Sequence, residues 1–152
     1  MGSYREHALD GASAIDLVVA LYDGMIRFLY EAMTAVEHGN AEERRAAVKR
    51  ALDIIIHLQA RLRMDVGGQP AQALSEFYAS IFAQILQASQ GASRVKFEHA
   101  IDCVRNVRDA WREVARETEG GVRQVAGSAA RRPVEAAEGL KLETAAVSSW
   151  TA

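Results

Sequence analysis

The sequence predicts an all-α protein, an antiparallel up-down-up-down four-helix bundle followed by a C-terminal tail. Three observations lead there. Apolar residues recur at steps of three and four along four successive segments, without the period-two alternation of a half-buried strand. Only two prolines, Pro70 and Pro133, occur in 152 residues rich in Ala, Leu, Ile, Val, Arg and Glu. The breaks between segments are short, and helices joined by short loops pack most simply as antiparallel neighbours.

The first helix is expected over about 14–38. Its inner face carries Ile15, Val18, Tyr22, Met25, Leu29 and Met33, with Ser13 as the N-cap and Asp16 at the third helical position. Within it, Asp23-Gly24 has the form of a hairpin turn signal, yet the helical period runs straight through. Asp23 and Arg27 are four apart, the spacing of a helical ion pair. Gly24 costs a helix roughly 1 kcal/mol against alanine, so the expectation is that its missing side chain admits the backbone of a neighbouring helix. Gly39-Asn40 ends the helix.

A second helix is expected from about Ala41 to Val66, with Glu42 and Glu43 placed where the helix dipole favours negative charge. Gly67-Gly68 closes it, and Pro70 opens a third helix, about 70–89, at a position that needs no donor. Gly91 breaks the chain, and Ser93 caps a fourth helix to about Glu117, whose inner face includes Phe97, Ile101, Val104, Val107, Trp111 and Val114. The organisation is thus an N-terminal segment over 1–13, the bundle over 14–117, and a flexible tail over 118–152 with room for a short helix near 134–147. Leu140, Leu142, Val147 and Trp150 make that tail apolar enough to dock on something.

Composition narrows the function. Lys and Arg total 18 against 20 Asp and Glu, so the electrostatic footprint of a nucleic-acid binder is missing. No stretch approaches the roughly 18 apolar residues of a membrane span. The lone Cys103 cannot form an intramolecular disulfide and suits a reducing, cytoplasmic setting. Catalytic chemistry finds little to use. Glu-x-x-His, the pair that builds di-metal sites in helical bundles, does not occur. Asp53 and His57 supply two ligands where an open metal site needs three. Cys103, with no histidine expected beside it, reads as a structural thiol. Gly67-Gly68 lacks the Lys-Ser/Thr of a phosphate loop. The expectation is a protein that is not an enzyme and holds no cofactor.

What stands out is surplus apolar surface. A bundle helix needs an apolar stripe somewhat over 100° wide. On the third helix Phe77, Tyr78, Phe82 and Leu86 spread with Leu74 over about 180°. On the second, Val48, Ala51, Ile55, Leu58 and Leu62 already complete a stripe, which leaves Ile56 beside Leu52 on a second face. Leu52, Ile56, Phe77, Tyr78, Phe82 and Leu86 are therefore the candidates to line a groove. A docked tail, a homodimer or a partner peptide could each cover them.

The order of motifs resembles the flagellar secretion chaperone family FliS. That family shows an N-terminal tyrosine, a "SPEELI"-like helix start, "LYDGAI", a helix of the form "A..II..L", then "LD...GG.IA..L..LY" and a last helix with "R.AW.E". Here stand Tyr4, "ASAIDLVVALYDGMIRFL", "RALDIIIHL", "LRMDVGGQPAQALSEFY" and "VRDAWRE", in the same order over about residues 4–117. Ala14 stands where the family favours proline, Pro70 where it often has an apolar residue, and Phe77-Tyr78 in place of Leu-Tyr. The tail after 118 has no counterpart in the pattern. The resemblance implies a cytoplasmic, non-enzymatic chaperone. It would bind the disordered C-terminal segment of flagellin, hold it back from premature polymerisation, and support its delivery to a component of the flagellar export gate. Neither nucleic acid nor stable membrane insertion is implied. It also implies that the N-terminal segment, here with Tyr4, plugs part of the flagellin-binding groove when cargo is absent. Two other classes stay open, a self-associating helical scaffold that forms a homodimer and a bundle that binds a metal or cofactor.

Overall fold

The computed structural model describes the backbone of residues 2–65 and 67–127 and the side chains of 14–65 and 67–118. Four helices result: α1 (Gly2–Glu37), α2 (Ala41–Ala60), α3 (Gly68–Gln90) and α4 (Arg94–Gly127). Each packs on two others in a ring, α1 and α3 both lying against α2 and α4. Polar contacts give the directions. Asp23, Tyr30 and Glu37 of α1 meet Arg108 at 3.0 Å, Arg105 at 2.6 Å and Arg94 at 3.1 Å, so α1 and α4 run antiparallel. Gly24 beside Ile54, equally far from the Gly39 turn, sets α1 and α2 antiparallel.

The core takes one stripe from each helix. Ile15, Val18, Met25 and Leu29 of α1, Ala51, Ile55 and Leu58 of α2, Ile81 and Ile85 of α3, and Phe97, Ile101 and Val104 of α4 are all buried. Their spacing is the helical period that the sequence displays, and burying side chains of this size is worth roughly 1.5–3 kcal/mol each. Val107 and Val114, expected in the same stripe of α4, are half-buried at its edge.

Two turns use the same device. After α1, the Asn40 amide donates to Ala35 O at 2.8 Å and the Gly39 amide to Val36 O at 3.1 Å, with Gly39 left-handed at φ +65°. Asn40 then caps α2, its side chain accepting from the Glu43 amide at 3.1 Å. After α3, the Ser93 amide donates to Ala88 O at 2.9 Å and the Ala92 amide to Ser89 O at 3.1 Å. The left-handed residue here is Ala92, φ 46°, while Gly91 keeps an ordinary φ of −84°. Ser93 caps α4 as expected, accepting from the Lys96 amide at 3.2 Å.

Four helix ends differ from the sequence reading. α1 begins at Gly2 and runs through Ser13, because Ala14 stands where a proline would have broken it. α2 stops at Ala60, six residues early, in a tight turn in which the Arg61 and Leu62 amides bond back to Leu58 and Gln59. Gly67 is the N-cap of α3 and Gly68, at φ +57°, its first residue, which puts Pro70 inside the first turn. α4 continues to Gly127, past Gly120-Gly121, because two glycines weaken a helix and only a proline forbids it, and none comes before Pro133. The tail over 128–152, where a short helix near 134–147 was expected, and the side chain of Tyr4 lie outside the described residues.

Gly24 is buried, and what faces it is a side chain, not the backbone expected from the sequence. A Cβ there would stand 3.5 Å from the Ile54 Cδ1 methyl, an ordinary contact. Gly24→Ala should therefore raise stability by about 0.5–1 kcal/mol in urea unfolding, and Gly24→Leu should lower it. Ala92→Gly should add about 1 kcal/mol by relieving the left-handed alanine. A loss of stability in either small substitution would contradict these backbone assignments.

Candidate functional site

The expected groove residues divide between the core and two surface flanks of α3. The seam between α2 and α3 is marked by Gln59 Nε2 donating to Ser75 Oγ at 2.8 Å. Leu52 and Ile56 precede Gln59 by seven and three residues on the same side of α2, and Phe82 and Leu86 follow Ser75 by seven and eleven on the same side of α3. With the helices antiparallel, Leu52 comes alongside Phe82. Leu52 and Phe82 are half-buried, while Ile56 and Leu86 are 56% and 37% exposed. Ile55, the next residue to Ile56, is 2% exposed. The seam is an apolar strip with open ends, in the place where α2 carries more apolar residues than its core stripe uses.

Phe77 faces the other way. It is half-buried on the α4 side of α3, seven residues on from Pro70 and three from Leu74. Pro70, Ala73 and Leu74 there join Val107, Ala110, Trp111 and Val114 of α4 to line a groove of about 220 Å³ without a charged group. The sequence reading did not single out this groove. Its signal was Val107 and Val114 at the edge of the α4 stripe, facing small alanines on both helices.

Tyr78 leaves the list of groove residues, because it belongs to the core at 1% exposure. Its hydroxyl lies 2.8 Å from that of Tyr22 on α1, and either can donate. The rings meet edge to face, centroids 6.3 Å apart. Burial pushes the Tyr22 hydroxyl up to about 12, with hydrogen bonds from Tyr78 and from the Trp111 indole holding it lower than burial alone would. Burial pushes Tyr78 further still, reinforced by the neighbouring charge and hydrogen bond of Tyr22.

Asp23 was expected to pair with Arg27. Instead it reaches α4, with Oδ1 3.0 Å from Arg108 and Oδ2 3.5 Å from Arg112. Burial works against the Arg108 charge, but hydrogen bonds to Asp23 and Asp109 outweigh it and the guanidinium holds its proton more firmly. Arg27 lies over the Phe28 ring, 5.2 Å from its centroid, and Arg50 of α2 stands 5.8 Å from the same centroid. The expectation of no histidine beside Cys103 is also corrected, since His99 Nε2 is 3.8 Å from its sulfur, four residues back on the same helix. Among the described residues no cluster of three His, Cys, Asp or Glu could hold a metal ion, and Asp53 pairs with Lys49 at 3.0 Å. Among them too, no helix is long and apolar enough to cross a membrane. The side chain of Tyr4 is not described, but a helix continuous to Gly2 puts Tyr4 ten residues, about 15 Å of rise, before Ala14. Folding it back as a plug would require α1 to break.

The four-helix bundle thus leaves two apolar strips at its surface, one on each flank of α3. Residues 1–118 match the family described as flagellar protein FliS, and the chain belongs to that family. It is 31% identical over 109 residues to the flagellar secretion chaperone FliS of Vibrio cholerae, covering 72% of this chain and 80% of that one. The FliS proteins of Salmonella typhimurium and Campylobacter jejuni are 30% and 29% identical over 72% and 74% of this chain, and over 82% and 88% of their own lengths. These relatives are secretion chaperones, a non-enzymatic family.

The tyrosine pair generates a pH prediction. Both hydroxyls ionise at higher pH in the folded chain than in the unfolded one, whose tyrosines ionise near 10. The stability they carry is therefore intact below about pH 10 and is lost as pH rises toward 12, by up to about 1.4 kcal/mol per pH unit for each tyrosine. Tyr22→Phe/Tyr78→Phe should abolish that part of the alkaline loss in urea unfolding at pH 9–12. Tyr22→Phe should cost about 1–3 kcal/mol at neutral pH by leaving the buried Tyr78 hydroxyl unpaired, and Tyr78→Phe less, because Tyr22 keeps the Trp111 indole as a partner. An equal alkaline loss in the double variant would contradict the pairing.

Proposed function

We propose that this chain is a cytoplasmic flagellar export chaperone. It holds the C-terminal segment of flagellin along the α2–α3 seam, prevents its premature polymerisation, and presents it to the export gate. The family membership supports the chaperone role. The observation that carries the binding mode is the contrast between neighbours on α2, Ile55 in the core and Ile56 at 56% exposure in an apolar strip with Leu52, Phe82 and Leu86. An isolated exposed isoleucine needs no explanation, but four apolar side chains aligned along one seam favour an amphipathic partner. A disordered segment suits such a strip. It can lay a helix into the seam as it binds, with burial of its apolar face offsetting the cost of ordering.

Circular dichroism and calorimetry with a flagellin C-terminal peptide test the reading. The expected outcome is one-to-one binding with more helix than the sum of the parts. Ile56→Asp should weaken that binding by about 1–3 kcal/mol and leave the melting temperature within a few degrees of the parent. Ile55→Asp should cost several kcal/mol of stability, because a carboxylate would enter the core. An additive spectrum with no heat of binding would remove the proposal. A stable dimer in sedimentation that resists excess peptide would point to self-association through the seam.

A further inference from the structure

We propose that residues 140–150 of this chain occupy the groove between α3 and α4. That groove is separate from the α2–α3 seam and lies on the far flank of α3. Pro70, Ala73 and Leu74 of α3 line one side and Val107, Ala110, Trp111 and Val114 of α4 the other. Each lining residue is uncharged, so the groove suits apolar side chains, and at about 220 Å³ it has room for one or two large ones. A stable dimer interface takes roughly 20–30 residues from each partner, whereas seven line this groove. A short segment of the same chain fits the size better than a second copy does.

The chain supplies such a segment within reach. α4 carries on from Val114 to Gly127, about 20 Å of rise, and 25 residues follow it in the sequence. The twelve residues 128–139 span up to about 40 Å when extended, twice the distance needed to return to the groove. Beyond them come Leu140, Leu142, Val147 and Trp150, and the spacing of Leu140, Val147 and Trp150 puts them on one face of a helix. The family match ends at residue 118, so this segment belongs to this chain and not to the shared pattern. Intramolecular tethering gives it a high effective concentration, so modest contact area is enough.

The test labels the full chain with 5-fluorotryptophan and follows Trp150 by fluorine NMR, with Trp150→Phe assigning its signal and a synthetic 128–152 peptide giving the position of the free residue. The expected Trp150 signal is displaced from the peptide position and unchanged on tenfold dilution. Ala110→Arg and Ala73→Arg fill the groove from opposite walls at exposed positions, so the bundle should keep its melting temperature within a few degrees. In each, Trp150 should return to the peptide position, and two variants keep the test intact if one folds poorly. A wild-type signal already at the peptide position overturns the proposal, as does a displacement that both arginine variants leave in place. A displacement that fades on dilution also overturns it, in favour of a second copy.

Discussion

Tyr22, Asp23 and Gly24 fix where α1 sits, and the rest of the bundle follows from that placement. Successive residues of a helix point about 100° apart, and these three meet three different helices. Tyr22 turns inward to the Tyr78 hydroxyl of α3, Asp23 turns to Arg108 and Arg112 of α4, and Gly24 turns to the Ile54 methyl of α2. Rotating α1 by one residue would drive a carboxylate toward the core and lift a buried tyrosine out of it, at a cost of several kcal/mol. The hydroxyl pair also links α1 to α3, which face each other across the ring. Apolar stripes alone would let these helices slide by a turn. A buried hydrogen bond and a directional ion pair give them one register.

Once α1 is set, the division between core and surface on the other helices is set too. On α2 the core takes Val48, Ala51, Ile55 and Leu58 and leaves Ile56 outside. On α3 it takes Ala71, Tyr78, Ile81 and Ile85, leaving Phe82 and Leu86 toward α2 and Leu74 and Phe77 toward α4. The apolar strips are thus what remains after the core is filled. A protein that captures a disordered segment has a use for them. It needs surface that is apolar and preformed, so that the partner alone bears the ordering cost.

Much of this was legible in the sequence, because helix period and core stripe are local properties. The four helices, their order, the Ser93 cap and the different facing of Ile55 and Ile56 could all be read from spacing, whereas Asn40 reads only as the end of α1 and not as the cap of α2. Long-range partners were not. Arg27 lay at ion-pair spacing from Asp23, but Arg108 and Arg112 on α4 won, since Arg108 is shielded from solvent and bonds are stronger there. Tyr78 fell among the surface candidates because its helical position borders both the core and the α2 flank, and only Tyr22 opposite shows which it joins. Helix ends were the least legible. Gly120-Gly121 weakens α4 without ending it, and Ala92 takes the left-handed turn although Gly91 is next to it. The α3–α4 groove needs residues about 40 positions apart and has no local signal.

The boundary between core and binding surface passes between adjacent side chains of α2, and methyl NMR reads that boundary directly. With isoleucine and leucine methyls labelled, a flagellin C-terminal peptide should shift Ile56, Leu52 and Leu86 strongly while Ile55, Ile81 and Ile85 stay within a small fraction of that change. Large shifts confined to Ile55, Ile81 and Ile85, with Ile56 unmoved at saturating peptide, would place the partner elsewhere and contradict binding along the α2–α3 seam.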